Sequence, residues 1–278
     1  WVAPRVYKST APPTRVASPA WPRPQHLPLG RLHRMAWRDV GASAGEPWLL
    51  LHGGPGSSCQ PGMLRPFDLS RQRVVAPDQR GCGASLPKGR TAGNHTAALV
   101  ADMEALRKHL EIERWSVLAG SWGTVVALAY TQAHPQRVQR LVLRGAFALS
   151  RREVGGLLLP SSRVRQSLRW GSLWPVSPGT VLPIALRRLT QLIQSGTPGV
   201  ASLRAARGWG LLETAMAARS QRRSLRHTAL TNPRQASSIR REWASMRRGE
   251  KRAIARLQRP GKTRADRNAF AKFRIQAH

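Results

Sequence analysis

Cysteines, long apolar runs and metal-binding patterns are all scarce in this sequence of 278 residues. Cys59 and Cys82 are the only two cysteines, which is too few for a disulfide framework and favours the reducing cytoplasm. No apolar run approaches the roughly 18 residues that a membrane-spanning helix needs, so we expect no membrane partner. The histidines and cysteines do not follow the spacing of metal ligands, and we predict neither a metal nor another cofactor.

Acidic residues are also few, with 13 against 46 lysines and arginines, and the formal net charge is +33. Residues 151–278 hold 27 of the basic residues and only five of the acidic ones. A charge of this size can indicate nucleic-acid binding. These basic residues, however, are mostly arginines scattered among Ala, Ser, Leu and Gly, with few aromatic side chains to stack on bases. No nucleic-acid motif accompanies them, so we do not expect nucleic acid to be a partner.

The most informative stretch is residues 117–131, VLAGSWGTVVALAYT. An apolar run typical of a buried strand is followed by small residues around Ser121 and then by a run compatible with a helix. This order is typical of a nucleophile elbow, a tight turn that presents a serine at a helix N-terminus. Larger side chains at Ala119 and Gly123 would collide with the neighbouring strand and helix. The alternative is a serine that merely caps an ordinary strand–helix turn.

A second motif favours the catalytic interpretation of Ser121. The apolar run 49–51 ends in residues 52–58, HGGPGSS. A glycine-rich loop after an earlier strand is what an oxyanion hole requires, because bare backbone must approach the substrate carbonyl. The two motifs in this order predict a serine acyl-transfer site.

The remaining pattern divides the chain into three parts. Residues 1–29 are rich in Pro, Ala, Ser and Arg and are predicted to form a tail. Residues 30–149 alternate strands and helices, with a helix capped by Asn94 or Thr96 and running to Leu110, which predicts a parallel α/β sheet. Its strands are expected at 32–38, 48–51, 73–77, 115–118 and 138–143, with a turn at 40–43. Residues 150–278 show no strand pattern and are predicted to be a helical cap. Its helices are expected at 187–193, 201–218, 234–246 and 252–257, with a loop at 170–183.

The motifs HGGPGSS, PDQRGCGAS, AGSWGT and LVLRGAF, in this order and spacing, resemble the proline iminopeptidases. These are serine peptidases of the α/β-hydrolase fold that remove an N-terminal proline from peptides. The close resemblance covers residues 33–147. It implies a mostly parallel sheet flanked by helices, an all-helical cap, and peptides with an N-terminal proline as substrates.

The resemblance also implies roles for individual residues. Ser121 would be the nucleophile, and the backbone N–H groups of Gly54 and Trp122 would form the oxyanion hole. In the cap, Glu213 would bind the free amine of the substrate, since an ammonium in a partly dry pocket needs a charged partner. Without the resemblance, Glu213 would be read as a surface carboxylate. Gln276 stands where the family has a second amine-binding glutamate, which weakens selection for a charged amine.

An acid and a base that would complete a triad with Ser121 are not evident. Asp266 is the only aspartate after Ser121, and it falls on a predicted cap helix. The only histidines after Ser121 are His134, His227 and His278, and none follows a predicted strand. We therefore expect the chain to stop before the last sheet strands, with the triad acid and base beyond its end, and to be inactive in this form.

Two alternatives to a peptidase remain open at this stage. Gln276 is compatible with an esterase or amidase of the same fold that has altered selectivity. The charge of +33 and the lack of triad partners are compatible with a catalytically dead hydrolase scaffold that binds an anionic partner.

Overall fold

A computed structural model describes residues 21–159, 179–194, 199–231 and 263–278, together with scattered positions between 237 and 255. Its centre is a six-stranded sheet in the order β1-β2-β4-β3-β5-β6. The first two strands pair antiparallel, β2 pairs antiparallel with β4, and the other four strands run parallel. The strands are β1 (Gln25–Leu29), β2 (His33–Gly41), β3 (Glu46–Leu51), β4 (Gln72–Pro77), β5 (Trp115–Gly120) and β6 (Val138–Arg144). The mostly parallel sheet confirms the predicted α/β class.

The central strands are apolar because both of their faces are covered. Leu49 and Leu51 of β3 point into one hydrophobic cluster, and Leu50 points into another on the opposite face. Helices α1 (Thr96–His109) and α2 (Trp122–Ala133) contribute side chains to the first cluster. Burial on two sides explains why these strands appear in the sequence as continuous apolar runs rather than as alternating ones.

Three local expectations differ from the structure. Residues 25–29, assigned to the tail, form an antiparallel edge strand, where Pro28 is tolerated because one side of the strand needs no partner. The predicted turn at 40–43 begins later, because β2 pairs with β4 as far as Gly41. Helix α1 is capped by His95 rather than by Asn94 or Thr96, since His95 Nδ1 accepts a hydrogen bond of 3.2 Å from the Ala98 N–H.

All regular elements described after residue 150 are helices. They are α3 (Arg151–Leu158), α4 (Leu182–Gln194), α5 (Val200–Thr231) and α6 (Arg264–Gln276). Leu182 and Pro183 begin α4 although a loop was expected there, and the remainder of that loop up to residue 178 lies outside the described residues. Most of the helices predicted at 234–246 and 252–257 lie outside them too. Within the described part of the chain, no helix combines the length and apolar character needed to cross a membrane.

Helix α6 packs directly on loops of the sheet at positions occupied by glycine. A Cβ on Gly56 would lie 2.2 Å from the Lys272 carbonyl oxygen, and one on Gly89 would lie 2.9 Å from Ala271 Cβ. Both distances are too short for a side chain at either glycine. These close approaches bring the C-terminal end of α6 next to the glycine-rich loop at 52–58.

Candidate active site

Ser121 lies between β5 and α2, in the strand–turn–helix arrangement that the sequence predicts. Its backbone has φ 53° and ψ −124°, a strained conformation for a residue other than glycine. The Ser121 N–H donates a hydrogen bond of 3.0 Å to the Arg144 carbonyl at the end of β6. The sheet therefore holds the turn in place, and Ser121 is exposed on its outer side.

The small residues around Ser121 have the steric role expected of them. A Cβ on Gly123 would lie 2.7 Å from the carbonyl oxygens of both Leu51 and His52. Ala119 is completely buried in β5. Helix α2 can therefore begin immediately against β3 only because position 123 has no side chain.

Ser121 does not act as an ordinary N-cap. It occupies the position before α2, but its hydroxyl makes no capping hydrogen bond. Thr124 instead satisfies the turn, because its hydroxyl donates a bond of 2.6 Å to the Ser121 carbonyl and accepts one of 3.0 Å from the Phe147 N–H. The Ser121 hydroxyl is thus free of the hydrogen bond that a capping serine would make. Thr124 stabilises the turn instead, a role that the sequence did not reveal.

The glycine-rich loop touches the elbow, as an oxyanion hole would require. A Cβ on Gly53 would lie 3.0 Å from Ser121 Cβ and 2.7 Å from the Gly120 carbonyl oxygen. Gly54 has φ +47°, and nothing lies within 4 Å of the position that its Cβ would take. The predicted oxyanion-hole residues, Gly54 and Trp122, therefore belong to two segments that meet at Ser121.

A buried histidine, which sequence analysis missed, fixes the base of that loop. His52 Nε2 accepts a hydrogen bond of 3.0 Å from the Gln79 N–H, and the Gln79 side chain donates one of 2.9 Å to the His52 carbonyl. The Nδ1 atom lies 3.1 Å from the Gly53 carbonyl oxygen, so the neutral tautomer carries its proton there. Burial lowers the pKa of His52, an effect that nearby Asp78 only partly opposes. This imidazole is therefore a structural group in its neutral form.

Two depressions flank the elbow. One, of about 410 Å³, lies below the cap and is lined by residues that include Pro55, Trp122, Leu186, Gln276 and His278. The other, of about 390 Å³, contains Ser121, Gly120 and Arg144 beside β6, the edge strand of the described sheet. The serine thus stands between a mostly apolar cleft under the cap and an open space at the sheet edge.

The two predicted amine-binding residues lie together in the cap. Gln276 Nε2 on α6 donates a hydrogen bond of 2.7 Å to Glu213 Oε1 on α5. Lys272, one helical turn before Gln276, forms an ion pair with the other oxygen of Glu213. Local sequence patterns do not reveal this lysine, because 59 residues separate it from Glu213.

Asp266 and the histidines after Ser121 are the residues that could complete a triad, and each is placed elsewhere in the structure. Asp266 caps α6 through Thr263 and pairs with Arg207, whose hydrogen bond lowers the pKa of Asp266 to about 2. His134 ends α2 and packs on Tyr130, with ring centroids 5.2 Å apart. Among the described residues, none of these groups bonds to the Ser121 hydroxyl. His278 lines the cleft below the cap, and His227 is exposed on α5.

Side chains of the types that bind metals are scattered in the described part of the chain, and both thiols are buried. No group of three or more His, Cys, Asp or Glu side chains is placed there to hold a metal ion. Burial raises the pKa of the Cys82 thiol to about 12, and burial also raises that of Cys59. Both thiols are therefore protonated and poor nucleophiles at neutral pH.

Comparisons with known proteins agree with this fold. The family model of the alpha/beta hydrolase fold matches residues 46–244. A probable proline iminopeptidase of Streptomyces coelicolor is 41% identical over 200 residues, which cover 68% of this chain and 60% of the relative. A probable proline iminopeptidase of Leptolyngbya boryana is 45% identical over 46% of this chain and 40% of its own length. The proline iminopeptidase of Xylella fastidiosa is 48% identical over 44% of this chain and 39% of its own length.

The chain spans 39–60% of the length of these three relatives. The family model, in contrast, covers well over half of the chain and includes the glycine-rich loop, the elbow and much of the cap. The predicted fold is thereby confirmed, and this chain belongs to the α/β-hydrolase fold family.

Proposed function

We propose that the protein is a serine hydrolase that releases an N-terminal proline from peptides, with Ser121 as its nucleophile. The observation that carries this proposal is the strained, exposed Ser121 whose hydroxyl makes no hydrogen bond with the described residues. A strained serine at a helix N-terminus, touched by a glycine-rich loop, is suited to acyl transfer. The named relatives support proline as the substrate residue, because the two curated names from Streptomyces and Xylella both contain proline iminopeptidase.

The proposed reaction has two steps. Ser121 Oγ attacks the carbonyl carbon of the N-terminal proline, and the N–H groups of Gly54 and Trp122 stabilise the oxyanion. The C–N bond breaks, the shortened peptide leaves as an amine with the serine proton, and a prolyl ester remains on Ser121. Water then cleaves the ester, which restores the serine hydroxyl and releases free proline. Glu213 and Gln276 are the groups proposed to receive the amine of the substrate.

The proposal is tested with the longest form of the protein that its native source makes, because this chain spans only part of its relatives. We expect hydrolysis of prolyl-4-nitroanilide, and we expect Ser121→Ala to lower kcat by about 10⁴-fold. The matched control is Ser43→Ala, which removes an exposed turn serine on the sheet. An aryl fluorophosphonate should add its mass to the wild-type protein and to Ser43→Ala, but not to Ser121→Ala. Undiminished turnover in Ser121→Ala would refute the proposed nucleophile.

A second candidate is an esterase or amidase of the same fold. The observation that favours it is the neutral Gln276, together with the lysine that already pairs with Glu213. A site with this charge balance would not require a charged amine on its substrate. Comparison of prolyl-4-nitroanilide with 4-nitrophenyl butyrate distinguishes the two functions, since a peptidase prefers the first and an esterase the second.

The cytoplasm is the proposed place of action. Both cysteines are buried and unpaired, a state that a reducing compartment maintains. Small peptides with an N-terminal proline are then the proposed partners. The cytoplasmic placement is tested by following the tagged native protein during cell fractionation.

A further inference from the structure

The carboxylate of Glu213 already has two partners within the protein. Lys272 forms an ion pair with Glu213 Oε2, and Gln276 Nε2 donates a hydrogen bond of 2.7 Å to Oε1. The formal charges of these three side chains sum to zero. A substrate ammonium that approaches Glu213 therefore meets a carboxylate whose charge has been neutralised.

Lys272 is held in this position from several sides. Its ammonium lies 4.7 Å from the centroid of the neighbouring Phe273 ring, which is a favourable cation–π distance. Its backbone carbonyl is the group that lies against Gly56 of the glycine-rich loop. The side chains of both Lys272 and Glu213 are still more than a quarter exposed, so the pair can open towards solvent.

The neighbouring amide supplies an acceptor that the pair does not use. Gln276 Oε1 is buried and has no hydrogen-bond partner within the described residues, whereas Nε2 of the same amide is engaged by Glu213. A buried carbonyl oxygen without a donor is costly, so this atom is suited to an N–H group that the described residues do not provide. Gln276 also lines the cleft that reaches Trp122 beside the proposed nucleophile.

We propose that Lys272 is a specificity-determining residue: its ammonium occupies the position that the cationic amine of a substrate would take on Glu213. A charged amine binds only when Lys272 moves away, and it then pairs with Glu213 and donates to Gln276 Oε1. Ligands with an uncharged N-terminal nitrogen gain nothing from that exchange. The inference rests on the proposed function, because it assigns to Glu213 and Gln276 the binding of the substrate amine.

The consequence is weak discrimination between charged and neutral ligands. An ammonium that replaces Lys272 exchanges one ion pair for another, so the net gain in binding is small. Removal of the lysine leaves the Gln276 amide as the partner of Glu213 among the described residues, and a ligand cation then gains a charge-assisted hydrogen bond. Lys272 therefore lowers the affinity for charged amines without entering the reaction.

The test measures binding by calorimetry in the full-length protein carrying Ser121→Ala, which prevents turnover. The probes are prolinamide, whose amine is charged, and N-acetylprolinamide, whose nitrogen is neutral. We expect Lys272→Met to tighten prolinamide binding by about fivefold to tenfold and to leave N-acetylprolinamide unchanged. Methionine is chosen because it keeps an unbranched apolar stem next to Phe273.

Two further variants make the result specific. Lys108→Met removes an exposed lysine from α1 and reduces the net charge equally, so it should change neither affinity. Glu213→Gln added to Lys272→Met should abolish the gain. Unchanged or weaker prolinamide binding in Lys272→Met would overturn the inference, as would a gain that persists without Glu213.

The outcome is distinguishable from a failure of the proposed function. If Lys272→Met gains affinity while the wild type hydrolyses no prolyl-4-nitroanilide, the proposed peptidase activity fails and the role of Lys272 stands. If the wild type hydrolyses the anilide through Ser121 but Lys272→Met gains no affinity, only the role of Lys272 fails.

Discussion

Carboxylates in the sheet region and carboxylates in the cap, residues 150–278, differ in the groups to which they bond. In the sheet region, Asp78 and Asp102 are almost completely buried and are used for structure. Asp78 accepts hydrogen bonds from the Cys59 and Ala84 N–H groups at 2.8 and 3.0 Å, and Asp102 accepts two from Arg80 at 2.5 and 2.7 Å. Fully bonded carboxylates of this kind fix loops, and they are not available to a ligand.

The described carboxylates of the cap divide into two kinds. Glu153 and Asp266 form capping boxes at the starts of α3 and α6. Glu213 does not cap a helix, and its partners are the side chains of Lys272 and Gln276. Of the described carboxylates in the cap, Glu213 is thus the one that does not stabilise the start of a helix. The proposed selectivity depends on it for this reason.

The two regions also have separate hydrophobic cores. The sheet is covered by one cluster on each face, whereas the cap buries its own cluster around Trp209 and Phe273, whose rings stack with centroids 5.2 Å apart. The elbow belongs to the sheet, and the proposed amine site belongs to the cap. The proposed amine site and the proposed nucleophile therefore depend on different hydrophobic cores. A mutation in one core should weaken one of them and leave the other intact.

Trp209→Ala should produce the largest difference in stability between the cap and the sheet. Removal of a buried tryptophan costs about 3–5 kcal/mol of unfolding free energy, and here the loss falls on the cap cluster. Hydrogen exchange measured by mass spectrometry should accelerate in α4, α5 and α6 while β5 stays protected. Leu230→Ala, on the exposed side of the same helix α5, is the control and should change neither region. Equal loss of protection in β5 would show that the two cores unfold as one.

Gly56→Ala should disturb the contact between the regions by a smaller amount. Gly56 has φ +88°, and a Cβ there would lie 2.2 Å from the Lys272 carbonyl oxygen. We expect a cost of about 1–3 kcal/mol, measured by urea unfolding, and a weaker hold on the C-terminal end of α6. Gly62→Ala is the matched control, because Gly62 has no neighbour within 4 Å of its Cβ position and no positive φ. A Gly56→Ala protein as stable as Gly62→Ala would contradict the predicted close contact.

Local patterns allowed the elbow to be predicted from the sequence. The strand, the small residues around Ser121 and the helix are contiguous, and the steric demand at Gly123 comes from neighbours that any such turn would have. The glycine-rich loop was recognisable for the same reason. Strand and helix assignments in the sheet were also close, because two-sided burial leaves continuous apolar runs.

The long-range contacts could not be predicted in this way. His52 and Gln79 are 27 residues apart, and their pairing has no local signature. Lys272 reaches Glu213 across 59 residues, and the same lysine meets Gly56 from a distant part of the chain. The strand at Gln25–Leu29 was missed because edge pairing depends on the partner strand rather than on a periodic pattern in the segment itself.

His52→Gln should give the smallest effect, and it tests whether the sheet holds a titratable group in one charge state. Burial lowers the pKa of His52 below its ordinary value of 6.5. In the unfolded chain the imidazole takes up a proton near pH 6.5, whereas in the folded protein it stays neutral and accepts the Gln79 hydrogen bond. Its contribution to stability is therefore complete above that pH and is lost progressively as the pH falls below it.

We expect the wild type to lose about 1 kcal/mol more unfolding free energy than His52→Gln between pH 7.5 and about pH 5.5. Glutamine is the chosen replacement because its amide oxygen can accept the Gln79 hydrogen bond but does not titrate. His33, whose pKa burial also lowers, is present in both proteins and cancels in the comparison. If the unfolding free energies of the two proteins changed in parallel with pH, His52 would be protonated as readily in the folded protein as in the unfolded chain. That result would contradict the predicted effect of its burial against Gln79.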